Sequence, residues 1–211
     1  NRDLAIRKTD LADIQLQNFG VHWVELFPGE QFTGQLLLWG MLQVGDWGAQ
    51  EVRAGAFAVE GGTQLNELWS RPLFRLGYNY GSGDDDPSDS KHHTFMQMLP
   101  TARQYAFTPF YNMMNNEDAF ASATLAPAEG LSLTTTVHYL ALAERADLLY
   151  SGGGANLKDR QFGFAGLPLA GSTLGVLPEL SISYDISATT ALALYYGHLF
   201  SSDSFEESAR G

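Results

Sequence analysis

The residues most able to do chemistry sit in one acidic run, Asp84-Asp85-Asp86-Pro87-Ser88-Asp89, with His92-His93 just after it. Carboxylates are the hard oxygen ligands that Ca²⁺ takes. The run lacks the spacing of an EF-hand loop, which alternates its ligands around a central glycine and ends on a glutamate. A solvated acidic loop is therefore the favoured reading, and no metal site is assigned. Adjacent histidines on extended backbone point to opposite sides and do not share an ion; both read as exposed loop residues. His138 with Ser132 or Ser181 can be forced into a hydrolase scheme, but no spacing recommends it. GxSxG, HExxH, P-loop and GxGxxG motifs are lacking. Ser151-Gly152-Gly153-Gly154 is glycine-rich, but no helix clearly follows it. The chain is not read as an enzyme, and no cofactor is expected.

The 211 residues carry 24 acidic and 12 basic side chains, a net charge of -12. Phosphate neutralisation needs clustered Lys and Arg, so nucleic acid is excluded as a partner. There is no cysteine, hence no disulfide framework and no thiolate metal site. No run of 18 apolar residues encodes a transmembrane helix. A transmembrane strand needs only about 9–11 residues, apolar on one face. The chain opens on Asn1-Arg2-Asp3 without a methionine or signal peptide and closes on a polar stretch, Glu206 to Gly211, read as a loop. One domain over residues 1–211, cut at both ends, is expected.

Alternation of apolar and polar residues dominates, and helical periodicity is weak. Phe74, Leu76, Tyr78 and Tyr80 oppose Arg75, Gly77 and Asn79. Leu131, Leu133, Thr135, Val137 and Tyr139 oppose Ser132, Thr134, Thr136 and His138. Leu180, Ile182 and Tyr184 oppose Glu179, Ser181, Ser183 and Asp185, while Ala121, Ala123 and Leu125 oppose Ser122 and Thr124. Leu36, Leu38, Leu42 and Val44 oppose Gln35, Trp39, Met41 and Gln43. The stretch from Ala12 to Leu26 loses its phase at Asn18-Phe19-Gly20, which suggests a bulge. Val52 to Glu60 and Thr190 to Phe200 bring the expected count to about eight strands.

The connections alternate in length. Phe27 to Glu30, Ala126 to Gly130 and Asp185 to Thr189 are built of turn residues. Gly81 to Glu117 and Glu144 to Thr173 are long. Trp47 to Gln50 is a short exception on the long side, and Gly61 to Ser70 a medium one on the short side. Short turns at one end and long loops at the other are the transmembrane-barrel pattern. Trp23, Phe27, Trp47, Trp69, Tyr80, Tyr139, Tyr150, Tyr184 and Phe200 fall near strand ends, where an interfacial girdle places aromatics. A soluble sandwich or lipocalin-like barrel also alternates, with its apolar face turned inward. Two features favour the membrane: the polar face is Ser, Thr, Gly, Asn and Gln with few Lys or Glu, and the long loops hold most of the charge. The expected fold is all-β, a portion of an antiparallel transmembrane β-barrel.

Two stretches add a resemblance. Tyr78-Asn79-Tyr80-Gly81-Ser82-Gly83-Asp84-Asp85-Asp86-Pro87 is followed by Thr94-Phe95-Met96-Gln97-Met98-Leu99-Pro100-Thr101-Ala102-Arg103-Gln104-Tyr105. Leu142 to Tyr150 then runs into Ser151-Gly152-Gly153-Gly154-Ala155. This resembles the alginate-export family of outer-membrane porins, over about residues 70 to 200 by motif and over the first 70 by strand pattern. The resemblance implies a monomeric bacterial outer-membrane barrel, larger than eight strands, with a lumen for passive passage. Its partners would be the lipid bilayer and a polysaccharide or small anionic solute. A structural or scaffold barrel among other envelope proteins is the alternative.

Anion pores carry fixed positive charge in the lumen. Arg75 is the best candidate, with Arg53 beside it if Val52, Ala54 and Ala56 face lipid. A salt bridge to Glu60, Glu179 or Asp185 is the competing role for each arginine. Gln43, Asn79, Thr134, Thr136, His138, Ser181 and Ser183 complete the expected pore lining. Phe74, Leu76, Tyr78, Leu133, Val137, Leu180 and Ile182 form the expected lipid face. Asp84, Asp85, Asp86 and Arg103 are assigned to a loop that can act as a gate, because 81–117 is long enough to fold inward as a plug. The net charge departs from what a polyanion channel wants, which puts alginate itself in doubt as cargo.

Overall fold

The computed structural model describes residues 14–97, 111–158 and 161–210, with side chains described outside 151–165 and 209–210. Eight strands follow one another in a single antiparallel sheet: β1 (Ile14–Phe27), β2 (Phe32–Trp47), β3 (Gln50–Leu65), β4 (Leu73–Gly81), β6 (Asn116–Ala128), β7 (Leu131–Ala141), β10 (Thr173–Ser187) and β11 (Thr190–Gly197). Four smaller strands decorate the end with the long connections. β5 (Lys91–His92) pairs parallel to β3, β12 (Phe200–Ser201) pairs with β10, and β8 (Leu148–Lys158) forms a hairpin with β9 (Gln161–Pro168). The eight-strand expectation holds for the main sheet. The β8–β9 hairpin, inside the connection read as one long loop, was missed.

The sheet is not closed among the described residues, with β1 and β11 at its edges. It is nonetheless strongly curled. Neighbouring strands lie about 4.8 Å apart, so β1 and β7, five spacings removed, would be about 24 Å apart on a flat sheet. His22 of β1 and Thr136 of β7 instead line the same recess. This is the curvature of a partial barrel.

The two faces are distinct and continuous in register. Phe57, Val59, Phe74, Leu76, Val137, Leu180, Leu192 and Leu194 are exposed on the outer face. A soluble monomer rarely exposes a contiguous apolar patch beyond a few hundred Å²; a transmembrane barrel presents such a band to lipid. The periodicity left inward and outward undecided, and the exposure of this face resolves it. Among the described strand residues, the outward charges lie near strand ends, as Glu25, Asp46, Glu51, Arg53 and Glu117 do. Strands of 14 to 16 residues such as β1, β2 and β3 exceed what crossing requires, so their ends project past the hydrocarbon.

The inner face changes character along its length. At the long-loop end it is apolar: Trp47, Val52, Ala54 and Ala56 are buried against Phe95, Met96, Met113, Met114, Leu148 and Tyr150, with Ile14 and Leu16 packed alongside. Toward the short turns it is mixed, polar at Glu60, Arg75, Ser122, Thr134 and Thr136 and apolar at Val24, Leu26 and Leu37. This explains the blurred phase in β1. Its register with β2 is uninterrupted, so there is no bulge. Ile14 and Leu16 turn inward to the packed core, and Phe19, Val21 and Trp23 turn outward, so the apolar set switches face midway. The same inner core corrects two aromatics: Trp47 and Tyr150 are buried inside, whereas Trp23, Phe27, Trp69, Tyr139, Tyr184 and Phe200 are exposed as a girdle requires.

The stretch read as a closing polar loop instead forms α1 (Asp203–Arg210). Ser202 caps it, its hydroxyl accepting from the Phe205 N–H at 3.2 Å. Asp203 and Glu206 put negative charge in the first turn, where the helix dipole favours it.

Candidate functional site

The connection after β4 folds over the inner face and is pinned there by single side chains. Gln43 is 0% exposed. Its Oε1 accepts from the Met96 N–H at 2.9 Å, and its Nε2 donates to the Met96 carbonyl at 3.1 Å and to Asn18 Oδ1 at 2.8 Å. Phe95 meets Trp39 edge-on, with ring centroids 6.5 Å apart. Gln97 Oε1 accepts from the Met113 N–H at 2.9 Å, tying the two ends of the connection together. Gly81 is required here, because a Cβ on it would sit 1.6 Å from the Met113 carbonyl oxygen.

Asp147 fastens this connection to the one before β8. Its buried carboxylate accepts from the Asp84 N–H at 3.1 Å, the Thr94 hydroxyl, the Leu148 N–H at 2.7 Å and the Tyr150 hydroxyl at 2.9 Å. Four donors satisfy the oxygens of this buried carboxyl group. Asn115, at φ 49°, reinforces the junction. Its amide donates to the Glu144 and Leu148 carbonyls and its Oδ1 accepts from the Glu144 N–H. Asparagine tolerates that left-handed conformation better than most side chains.

Under this inward-folded segment the wall is a buried polar network. Asp118 Oδ1 lies 2.8 Å from His138 Nδ1, and Asp118 Oδ2 accepts from Asn79 Nδ2 at 3.1 Å and from the Tyr111 hydroxyl at 3.3 Å. His138 Nε2 faces Glu179 Oε2 at 3.8 Å, beyond a hydrogen bond. Further toward the short turns, Arg75 Nη1 pairs with Glu60 Oε1 at 3.1 Å. Thr136 donates to Ser122 at 3.3 Å, and Thr124 meets Thr134 at 3.0 Å. A recess of about 490 Å³ opens there, lined by Trp39, Phe120, Arg75, Glu60, Asn79 and Ser122 among others.

Gln43, Arg75, Asn79, Thr134, Thr136, His138, Ser181 and Ser183 therefore share one face through the registers of β2, β3, β4, β6, β7 and β10. Arg53 does not join them. Val52, Ala54 and Ala56 turn inward under Phe95 and Met96, so Arg53 points outward, where it pairs with Glu51 at 2.6 Å. Of the acidic run, Asp84 is buried at the Asp147 junction. Asp85 is exposed and paired with His93 Nδ1 at 3.0 Å, and exposed Asp86 accepts from the Ser88 N–H and hydroxyl. The His93 hydrogen bond holds the Asp85 carboxyl below the usual carboxylate range, and the Ser88 hydrogen bonds do the same for Asp86. His92, read as exposed, is buried and stacks on Trp47 with centroids 4.6 Å apart. Arg103 lies outside the described residues.

Asp118, Asp147, Asn115 and Phe120 also belong to the site, although no motif marks them. Asp118 shares its strand face with Phe120, whereas Asp147 lies before β8, where no strand alternation marks it.

An outward apolar band, an inward polar wall and long connections gathered at one end define an outer-membrane barrel. Residues 16–210 match the family model for alginate export. The chain belongs to the alginate export family. No curated protein matches it. The match extends the motif resemblance back through β1 and β2 and forward into α1. Membership places the chain in the outer membrane, among transport porins whose role is export or diffusion and whose surroundings are lipid and polysaccharide.

Proposed function

We propose that this chain builds the wall of a passive outer-membrane diffusion channel for saccharide, narrowed by the connection after β4. No covalent step is involved. Selectivity comes from lumen width and from the polar groups on the inner face. One observation carries the reading: the Gln43 side-chain amide grips Met96 and holds the segment over the inner face at its long-loop end, next to the polar stretch. A purely structural barrel gains nothing from a hydrogen-bonding wall of Asn79, Ser122, Thr134, Thr136, Ser181 and Ser183, whereas a saccharide needs such donors and acceptors. Of the two cargo classes that the sequence suggests, saccharide is favoured over a small anion, because Arg75 is committed to Glu60.

Planar-bilayer recording of the full-length protein tests this. Steady single-channel current supports the channel, and larger current on replacing Gln43 supports the narrowing segment. Silence from both proteins would favour a scaffold barrel among other envelope proteins.

A further inference from the structure

The recess beneath the inward-folded segment has features beyond a passive wall. Trp39 of β2 and Phe120 of β6 both line it, one from each side of β3 and β4. Aromatic faces suit the apolar C–H faces of a sugar ring. Hydroxyl groups need donors and acceptors together, and Arg75, Glu60, Asn79, Ser122 and Thr136 supply both. Its volume of about 490 Å³ falls in the range of about 300–1,000 Å³ typical of small-molecule sites.

The charge pattern selects among sugars. A uronate carboxylate needs an uncommitted cation, best a bidentate guanidinium. Among the described residues of the eight strands, Arg75 is the one lysine or arginine on the inner face, and its Nη1 is 3.1 Å from Glu60 Oε1. Glu60 and Arg75 are the carboxylate and the guanidinium of its lining, and they pair with each other, while Asp118, Glu179 and His138 lie buried in the wall behind it. The recess offers a polyanion no uncommitted cation.

We infer that this recess is a binding subsite for an uncharged sugar unit, held between Trp39 and Phe120 and hydrogen-bonded by the Arg75–Glu60 pair. The assignment rests on the channel reading above, and it departs from a uronate cargo.

The test is current block of the full-length protein in a planar bilayer, with maltohexaose as the neutral probe and a mannuronate hexamer as the anionic one. Maltohexaose is expected to interrupt the current at the lower concentration. Glu60→Gln releases the Arg75 charge, and block by mannuronate should strengthen by about tenfold, the worth of one hydrogen bond to a charged group. Phe120→Leu, which keeps the charges, should weaken maltohexaose block and leave the mannuronate response unchanged. Stronger block by mannuronate on the unaltered protein, block by neither oligomer, or an unchanged preference in both variants overturns the subsite while leaving the channel. Absence of any current overturns the channel reading itself, and the subsite with it.

Discussion

The Gln43 amide and the Met96 peptide unit satisfy each other in both directions, at 2.9 Å and 3.1 Å, across 53 residues of sequence. The contact joins the loop-side part of a spanning strand to the segment lying over it. Gln43→Leu leaves the Met96 N–H and carbonyl buried without that partner, which costs about 1–3 kcal/mol. The expected outcome is a folded barrel with a lower unfolding midpoint and a larger or more frequent open current. An unchanged current would mean that the segment does not narrow the path.

Leu76 is 69% exposed on the outer face of β4, opposite Gly61 and Ala121. Leu76→Arg should cost about 2–4 kcal/mol if this position meets the middle of the bilayer. Arg53 is on the same face near the loop end of β3, paired with exposed Glu51. Arg53→Ala should therefore change stability by at most about 1 kcal/mol. Reversible unfolding in lipid vesicles measures both. Equal costs at the two positions would contradict the assigned depth.

Most of the fold was legible because a strand's period of two survives in sequence wherever each face meets one medium. β4, β7 and β10 carry apolar residues on the outer face and polar residues on the inner face along most of their length, as the alternation predicts. β1 and the first half of β3 were harder for one physical reason. Their inner face near the long loops meets Phe95, Met96, Met113 and Met114 instead of water. Apolar residues then point inward, the pattern changes phase, and Arg53 was placed on the wrong side. The site was less legible than the fold. Arg75 and Asn79 could be found from alternation, but Asp147 acquires its role only when Asp84, Thr94, Leu148 and Tyr150 converge on it. That convergence depends on how two long connections fold, and local sequence carries no record of it.

Asp118 ties three elements together through His138, Asn79 and Tyr111. Asp118→Ala should cost about 1–3 kcal/mol, since it strips an acceptor from buried donors. Asp118→Asn keeps the shape but cannot accept on both sides, so it should fall between wild type and Ala. Thermal unfolding of the three proteins in one detergent gives the order. An alanine variant as stable as wild type would mean that the network is hydrated and carries little.

The Asp85–His93 pair sits on the loop side of β4, outside the spanning strands. The His93 hydrogen bond lowers the Asp85 value, so the folded loop binds that proton less readily than the unfolded chain does. The stabilisation is present at neutral pH and is lost as pH falls through the lowered Asp85 value. His93→Ala should raise the Asp85 midpoint toward the ordinary value of about 3.9. Asp86, held by Ser88, should stay low. Carboxyl carbon NMR titration reads both residues at once. A fixed Asp85 midpoint in the variant would remove His93 as the cause.

Gly77 and Phe120 face each other across β4 and β6. A Cβ on Gly77 would come within 2.4 Å of the Phe120 ring, so the ring lies directly over the glycine. An aromatic covering a cross-strand glycine shields backbone that has no side chain of its own. Gly77→Ala must push Phe120 off this position, and overpacking of that kind costs about 1–3 kcal/mol. The ring lines the recess, so its displacement should also lower single-channel conductance. Gly61 is the control. It is on the outer face, and a Cβ there meets nothing within 4 Å, so Gly61→Ala should leave conductance unchanged. Reduced conductance in both variants would point to a general loss of packing. Reduction in Gly77→Ala alone would place Phe120 at the conducting path.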